Sequence, residues 1–207
     1  MSALAIPQTT TTTTWNIDSA HSVAEFKVKH MMISNVKGQF PKVAVVTRFA
    51  YHGHRASNLV TTKVAGVLTL DDSDLTNSRV EAVIEAASIE TRDAQRDAHL
   101  KSEDFFHVER FPSLSFKSMG IRLVRDGELA VEGDLTIRGV TRKVLFSVDG
   151  PTPPIKDPWG GTRVAVSATT KINRKDFGLT WNAALETGGI LVGDEVTLTL
   201  EVEFLKA

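Results

Sequence analysis

The stretch that decides the fold is "VGDEVTLTLEVEF", Val192–Phe204, close to the C-terminus of the 207-residue chain. Its second half alternates strictly between apolar and polar residues, the apolar ones being Val196, Leu198, Leu200, Val202 and Phe204. Successive side chains of a β-strand point to opposite faces, so this period of two predicts a half-buried strand with one dry face.

The same alternation recurs earlier in the chain, in Val23–His30, Leu129–Arg138, Val144–Val148 and Val164–Ile172. Short turns separate these segments; Asp126-Gly127 and the turn around Gly139 both suit tight hairpins. Consecutive hairpins predict an antiparallel protein in which neighbours in sequence are neighbours in the sheet.

One segment, "SIETRDAQRDAHLKSEDFF", has the composition of a helix rather than a strand. Thr91 is a plausible N-cap, good helix formers follow it, and Pro112 prevents any continuation. The chain is therefore predicted to be all-β, an up-and-down antiparallel eight-stranded β-barrel with one short helix. Such a barrel is either filled by its own side chains or holds one small ligand.

Composition limits the classes of function. The formal net charge of -1 disfavours binding to nucleic acid, and no apolar run is long enough for a membrane span. Zero cysteines exclude thiol nucleophiles and thiolate metal sites. The N-terminus lacks the basic and apolar regions of a secretory signal, so a cytoplasmic location is expected. Residues 1–14 are predicted to be a flexible Thr-rich arm, and residues 15–207 one barrel domain.

Asp18, His21 and Ser22 are the residue types of a hydrolase triad. His21 and Ser22 are adjacent, however, and neighbours in a strand point to opposite faces. We therefore interpret the three as side chains that close the turn into the strand.

Two groups of residues are candidates for binding the head group of a ligand or for lining the entrance of the barrel. Arg96, His99 and Lys101 lie on the predicted helix, where a guanidinium suits phosphate oxygens. The alternative is that Arg96 only docks the helix onto the barrel. Arg174 and Trp181 could lie at the pore entrance, although packing of Trp181 in the core is as well supported.

His52 and His54 place two imidazoles on one face of an extended segment. No third ligand is obvious nearby, and structural zinc sites supply four. No metal site and no cofactor are predicted.

Four motifs in this order resemble the YceI-like, polyisoprenoid-binding family of lipocalin-like barrels. They are "WNIDSAHSVAEFKVKH" (Trp15–His30), Ser88–Phe116, "GDLTIRGVTRKVLF" (Gly133–Phe146) and Ile172–Phe204. The resemblance implies a barrel whose apolar pore holds the isoprenoid tail of an amphiphile, such as a polyprenyl pyrophosphate or a ubiquinone-like quinone, often in a homodimer. Residues 41–63 depart from the family pattern as an extra segment, and many relatives are exported.

The leading hypothesis is a carrier with no catalytic step. The isoprenoid tail of the ligand would contact nine inward-facing residues: Phe26, Val28, Phe116, Leu135, Ile137, Val144, Phe146, Val166 and Phe204. One alternative is a hydrolase or isomerase that acts on such a ligand through His21, Asp18 or His99. Another is a side-chain-filled barrel that serves as a stress-related interaction module.

Overall fold

The computed structural model describes residues 12–41, 43–44, 65–71, 73–186 and 188–207. Within these ranges β-strand is the main secondary structure. The strands are β1 (Thr12–Ile17), β2 (Val23–His30), β3 (Ser34–Phe40), β4 (Val43–Ala44), β5 (Ala65–Asp71), β6 (Arg79–Glu85), β7 (Ser113–Arg125), β8 (Glu128–Ile137), β9 (Val140–Asp149), β10 (Ile155–Lys156), β11 (Thr162–Asn173) and β12 (Val192–Lys206). The described residues contain one α-helix, α1 (Ala94–Lys101), which lies between β6 and β7.

Eight strands form a closed ring with the order β1-β5-β6-β7-β8-β9-β11-β12, and β12 returns to β1. Every neighbouring pair in the ring is antiparallel. The prediction of an eight-stranded antiparallel barrel with one short helix is confirmed.

The longest strand, β12, joins the ring to an additional hairpin. One edge of β12 pairs with β11, from Asn173↔Glu195 to Arg163↔Leu205. Its other edge is shared, because β2 pairs with its first ten residues and β1 with its last three. β3 then pairs with β2. Trp15–His30 therefore contributes two strands to different parts of the sheet.

The predicted N-terminal arm is corrected at its end. The threonine run predicts that Thr12–Thr14 belong to the flexible arm, but they pair with Thr69–Asp71 of β5 as the start of β1. Threonine is a good strand former, and these residues complete the ladder that closes the ring. The rest of the arm lies outside the described residues, as do His52, His54 and most of the extra segment 41–63.

The predicted helix cap was also wrong. Asp93, not Thr91, caps α1, because its carboxylate accepts a hydrogen bond of 2.9 Å from the Arg96 N–H. Thr91 is instead held by Asp97, whose carboxylate accepts from both its backbone N–H and its hydroxyl. A helix residue thereby fixes the chain that leads into the helix.

The turn between β8 and β9 consists of two residues whose backbone conformation a tight hairpin requires. Arg138 and Gly139 both have positive φ values, 51° and 74°. Two such residues in succession give a turn whose twist matches a β-hairpin. A Cβ on Gly139 would also lie 2.7 Å from the Phe111 ring, so glycine serves both the turn and the packing.

A cluster of charged side chains fastens the β1–β2 turn to the barrel wall. Arg163 on β11 donates to Asp18 at 2.5 Å and to Asp157 at 2.7 Å, and it also pairs with Glu203 on β12. The hydrogen bond from Arg163 holds the pKa of Asp18 well below its usual range. The hydrogen bond to Asp18 raises the pKa of the His21 imidazole, and the negative charges of Asp18 and Glu203 raise it further.

This cluster predicts a stability change that depends on pH. Arg163→Met leaves three carboxylates without their shared cation, so the free energy of unfolding should fall at pH 7. A carboxylate with a lowered folded-state pKa stabilises the fold above its unfolded pKa, about 3.9, and this contribution disappears as the pH falls. The difference between wild type and variant in urea titrations should therefore shrink below about pH 4.

The matched control is Lys171→Met, which breaks a pair with Glu195 whose side chains are both about two-thirds exposed. Exposed pairs contribute little, so the urea midpoint should hardly change. An Arg163 variant as stable as this control at pH 7 would contradict the role of the cluster.

Candidate functional site

The ring encloses an apolar cavity of about 260 Å³. Its walls are the inward faces of the strands, and apolar residues of α1 and of the loop after it line one end. Leu129 and Ile137, at opposite ends of β8, both line it. The eight residue steps from Leu129 to Ile137 span roughly 26 Å along the strand, so the cavity lining is long in relation to the volume it encloses.

Eight of the nine residues expected to line the pore do line this cavity: Phe26, Val28, Phe116, Leu135, Ile137, Phe146, Val166 and Phe204. Val144 is buried in the core but is not among the lining residues. Its partner on β8 is Gly133, and the Phe116 ring lies over this glycine. The ring, rather than Val144, meets the cavity at this point.

Two of the cavity phenylalanines lie against the wall because a glycine beneath each one leaves room for its ring. A Cβ on Gly38 would lie 2.3 Å from the Phe26 ring, and one on Gly133 would lie 2.5 Å from the Phe116 ring. Phe26 and Gly38 are direct partners across β2 and β3. A side chain at Gly38 would overlap the Phe26 ring and the Thr91 methyl group, so both would have to move.

Part of the lining was missed in the sequence. Leu100, Phe105 and Phe106 reach the cavity from α1 and the loop that follows it, and the Phe106 ring lies 5.9 Å from that of Phe40. The adjacent phenylalanines after the helix were the available signal, since two aromatic residues beside a short helix need an apolar surface to cover. The other signal is the alternation of apolar residues in β5 and β6. It indicates five more residues that line the cavity: Leu68, Leu70, Val80, Ala82 and Ile84.

Arg174 is the buried cation of the cavity wall, with only 4% of its surface exposed. It donates to the carbonyl oxygens of Gly193, Leu179, Trp181 and Val192 at 2.5–3.3 Å, and its fifth N–H faces Asp194 at 3.5 Å. Burial lowers its pKa. Because all five donors have partners, Arg174 ties the β11–β12 connection together and has none left for a ligand.

The other candidates for a head-group site surround α1. Arg96 donates to the hydroxyl and the carbonyl of Thr91, both at 2.8 Å, which is the arrangement expected if Arg96 docks the helix onto the barrel. His99 bonds Asp104 at 2.9 Å, and its ring meets that of Trp181 edge-on at 4.6 Å. Lys101 lies beside a shallow outer depression instead of the cavity.

The residues considered as an acid or base lie outside the cavity lining. The Asp18 and His21 side chains belong to the surface cluster around Arg163, and 60% of His21 is exposed. The Ser22 hydroxyl bonds the backbone of Glu203 instead of His21. This geometry agrees with the interpretation of all three as turn-closing residues.

Asp18, His21 and Glu203 also place their ligand atoms within 4.8 Å of one another, as a metal site would. Arg163 donates to the same carboxylate oxygens that would face the ion. The guanidinium thus already neutralises the two acids, and the arrangement is an ion-pair cluster.

In the part of the chain that the structure describes, none of the helices has the length and apolar character needed to cross a bilayer.

Comparison with known proteins agrees with this architecture. The family model described as "YceI-like domain" matches residues 15–204. UPF0312 protein SA2479 of Staphylococcus aureus strain N315 is 35% identical over 193 residues, which cover 93% of this chain and 97% of that protein.

Solved structures show the same fold at lower identity. Burkholderia cenocepacia BcnA has a TM-score of 0.68 at 19% identity, covering 90% of this chain and 98% of its own. A polyisoprenoid binding domain from Saccharophagus degradans, implicated in plant cell wall breakdown, has a TM-score of 0.60 at 11% identity, covering 93% and 98%. With its family model matched over nearly the whole sequence, the chain belongs to the YceI-like family.

Proposed function

We propose that this protein binds and carries a long isoprenoid amphiphile, with the tail inside the barrel and no chemical step. The observation that supports this most is the apolar cavity, which runs along the strands and is lined by their inward faces. A polyprenyl pyrophosphate and a ubiquinone-like quinone are the two ligand types that we expect to fit.

The energetics favour a tail without polar atoms. Each 100 Å² of apolar tail surface removed from water contributes about 2.5 kcal/mol, before the cost of immobilising the ligand. Apart from Glu25, Ser78, Ser115 and Arg174, the residues that line the cavity are aliphatic or aromatic. The Ser78 hydroxyl oxygen already accepts a hydrogen bond from the Asp71 N–H, so that oxygen has a partner within the protein.

The enzyme alternative lacks support in this geometry, since Asp18, His21 and His99 are absent from the residues that line the cavity. The filled-barrel alternative conflicts with a cavity of about 260 Å³. The homodimer and the cytoplasmic location stay predictions.

Native mass spectrometry of protein purified from its own host tests the proposal. We expect a co-purifying apolar mass, and organic extraction should release a molecule with an isoprenoid fragmentation pattern. Protein that is consistently empty, and that fails to take up a polyprenyl pyrophosphate or a quinone from detergent, would contradict the carrier function.

A variant that fills the cavity should compete with the ligand. Ala168 lines the cavity on β11, so Ala168→Phe places a ring where we propose that the tail lies. Affinity for the extracted lipid, measured by displacement of a fluorescent fatty probe, should fall at least about tenfold, or 1.4 kcal/mol. The melting temperature of the empty protein should not fall, because the new ring enters open space.

The control for this variant is Ala130→Phe. Ala130 lies on β8 between the inward-facing Leu129 and Val131, so its side chain points to the outer face. Lipid affinity should stay at the wild-type value. Equal losses in both variants would mean that the cavity is not the binding site.

The glycine beneath Phe26 should control how much of the cavity is free. Gly38→Ala adds a Cβ at 2.3 Å from the Phe26 ring and 2.7 Å from Thr91, so the ring must leave its place against the wall. We expect weaker binding of ligands with long tails and a smaller loss for short ones, measured with quinones of graded tail length. Gly120→Ala, whose Cβ meets no atom within 4 Å, is the matched control and should bind all of them normally. Uniform loss across all tail lengths would argue against this role of Gly38.

A further inference from the structure

The turn between β2 and β3 presents three exposed apolar side chains in succession. Met31, Met32 and Ile33 are 39%, 58% and 81% exposed. The Met31 N–H donates to the Leu191 carbonyl at 2.7 Å, which brings the loop containing the partly exposed Ile190 beside the turn. We call Met31, Met32, Ile33 and Ile190 the hairpin tip.

The backbone of the hairpin tip is strained for the residues it contains. The Ile33 N–H donates to the His30 carbonyl at 3.1 Å, which closes a β-turn around Met31 and Met32. Both central residues are left-handed, with φ values of 50° and 62°. Asparagine and glycine suit such positions, whereas a methionine side chain disfavours them. The turn gives up local stability and displays two long, flexible apolar side chains at its apex.

The outer face of the same hairpin is basic. Lys27, Lys29 and Lys37 are exposed on β2 and β3, and Glu25 is the one acidic residue between Val23 and Phe40. Lys27 and Lys37 are direct partners across the two strands, a like-charge pair that destabilises the sheet. Within the described residues, no ion pair within 4.0 Å involves these three lysines.

The hairpin tip lies at one end of the cavity. His30 pairs with Val192 of β12, and Val192 and Val28 both line the cavity. The exposed apolar side chains are therefore only a few residues from the lining.

We propose that the hairpin tip inserts into the surface of a bilayer of anionic lipids, while Lys27, Lys29 and Lys37 contact lipid phosphates. Apolar side chains at the headgroup boundary, combined with basic residues behind them, give reversible binding to such surfaces. Docking in this orientation would bring the cavity end to the medium in which an isoprenoid amphiphile dissolves. That last step rests on the proposed function, whereas the docking itself does not.

Charge favours the bilayer over a second copy of the chain. Two copies related by a twofold axis through this patch would bring the three lysines of each copy into one interface. An anionic lipid surface relieves the repulsion between Lys27 and Lys37 instead of increasing it.

Vesicle flotation tests the proposal with full-length protein. We expect wild type to float with vesicles of phosphatidylglycerol and phosphatidylcholine in equal parts, and to float poorly with phosphatidylcholine alone. Ile33→Glu should lower the bound fraction at least about tenfold, because an apolar side chain that anchors the protein is replaced by a carboxylate that the anionic lipids repel. The double change Lys27→Gln and Lys37→Gln should weaken binding and reduce its dependence on salt.

Ile155→Glu is the matched control, because Ile155 is 65% exposed. Ile155 pairs with Arg163 at the start of β11, and Arg163 pairs with Leu205 near the C-terminal end of β12. The hairpin tip lies beside Val192 at the opposite end of β12, so Ile155 is far from it. This variant should float like wild type. Failure of wild type to bind anionic vesicles, normal binding by Ile33→Glu, or an equal loss in Ile155→Glu would each overturn the proposal.

Two further measurements distinguish membrane docking from misfolding and from self-association. Circular dichroism should show both glutamate variants folded, as expected for such exposed positions. Sedimentation without lipid should show one oligomeric state for wild type and Ile33→Glu; a change there would assign the hairpin tip to self-association and overturn membrane docking. Lipid extracted from Ile33→Glu tests the carrier function separately, since the cavity lining is unchanged.

Discussion

The structure depends on the closure of one ring of backbone hydrogen bonds around an apolar interior, and β12 is the strand that completes it. Its 15 residues pair with β11 on one edge and with both β2 and β1 on the other. Closure removes the exposed edges that an open sheet of this size would leave. It also sorts the side chains, because every residue of a closed strand must face either the interior or the outside. Most titratable groups of the strands are thereby placed on the outer face, where the Arg163 cluster and the basic hairpin lie.

Closure alone does not keep the interior open. A ring of eight strands can be filled by its own side chains, and this chain places large aromatic residues on the inner face. Gly38 and Gly133 change the outcome, because the rings of Phe26 and Phe116 fold onto them and cover the wall. The bulk of these rings lines the barrel instead of crossing it. Two missing side chains thus help to decide whether this sequence makes a solid core or a container.

The sequence predicted the strands that period-two patterning controls, the one short helix and the family. The strands β8, β9, β11 and β12 and the inward direction of Leu135 and Phe146 follow from local alternation, which tertiary structure did not override. The pairing of Thr12–Thr14 with β5 could not be read from a threonine run, since it depends on residues about 57 positions away. Residue type alone predicts Thr91 as the helix cap, but Asp97 binds it from within the helix. Leu100 and Phe106 line the cavity through the docking of α1. The adjacent phenylalanines after the helix indicate an apolar contact, but they do not indicate which surface the helix covers.

An open apolar interior has a thermodynamic cost that bears on function. At about 24 cal/mol per Å³, a dry cavity of 260 Å³ lowers stability by roughly 6 kcal/mol relative to a filled one. That amount is comparable with the whole free energy of unfolding of a typical domain, about 5–15 kcal/mol. A ligand that fills the space restores the lost contacts, and binding to the folded state alone raises stability with ligand concentration. Buried Arg174, with its donors fixed on backbone carbonyls, and the Arg163 cluster supply polar stabilisation at the wall that does not require the interior to be filled. The open interior therefore leaves apolar surface that a ligand can remove from water, and this surface is a source of binding free energy.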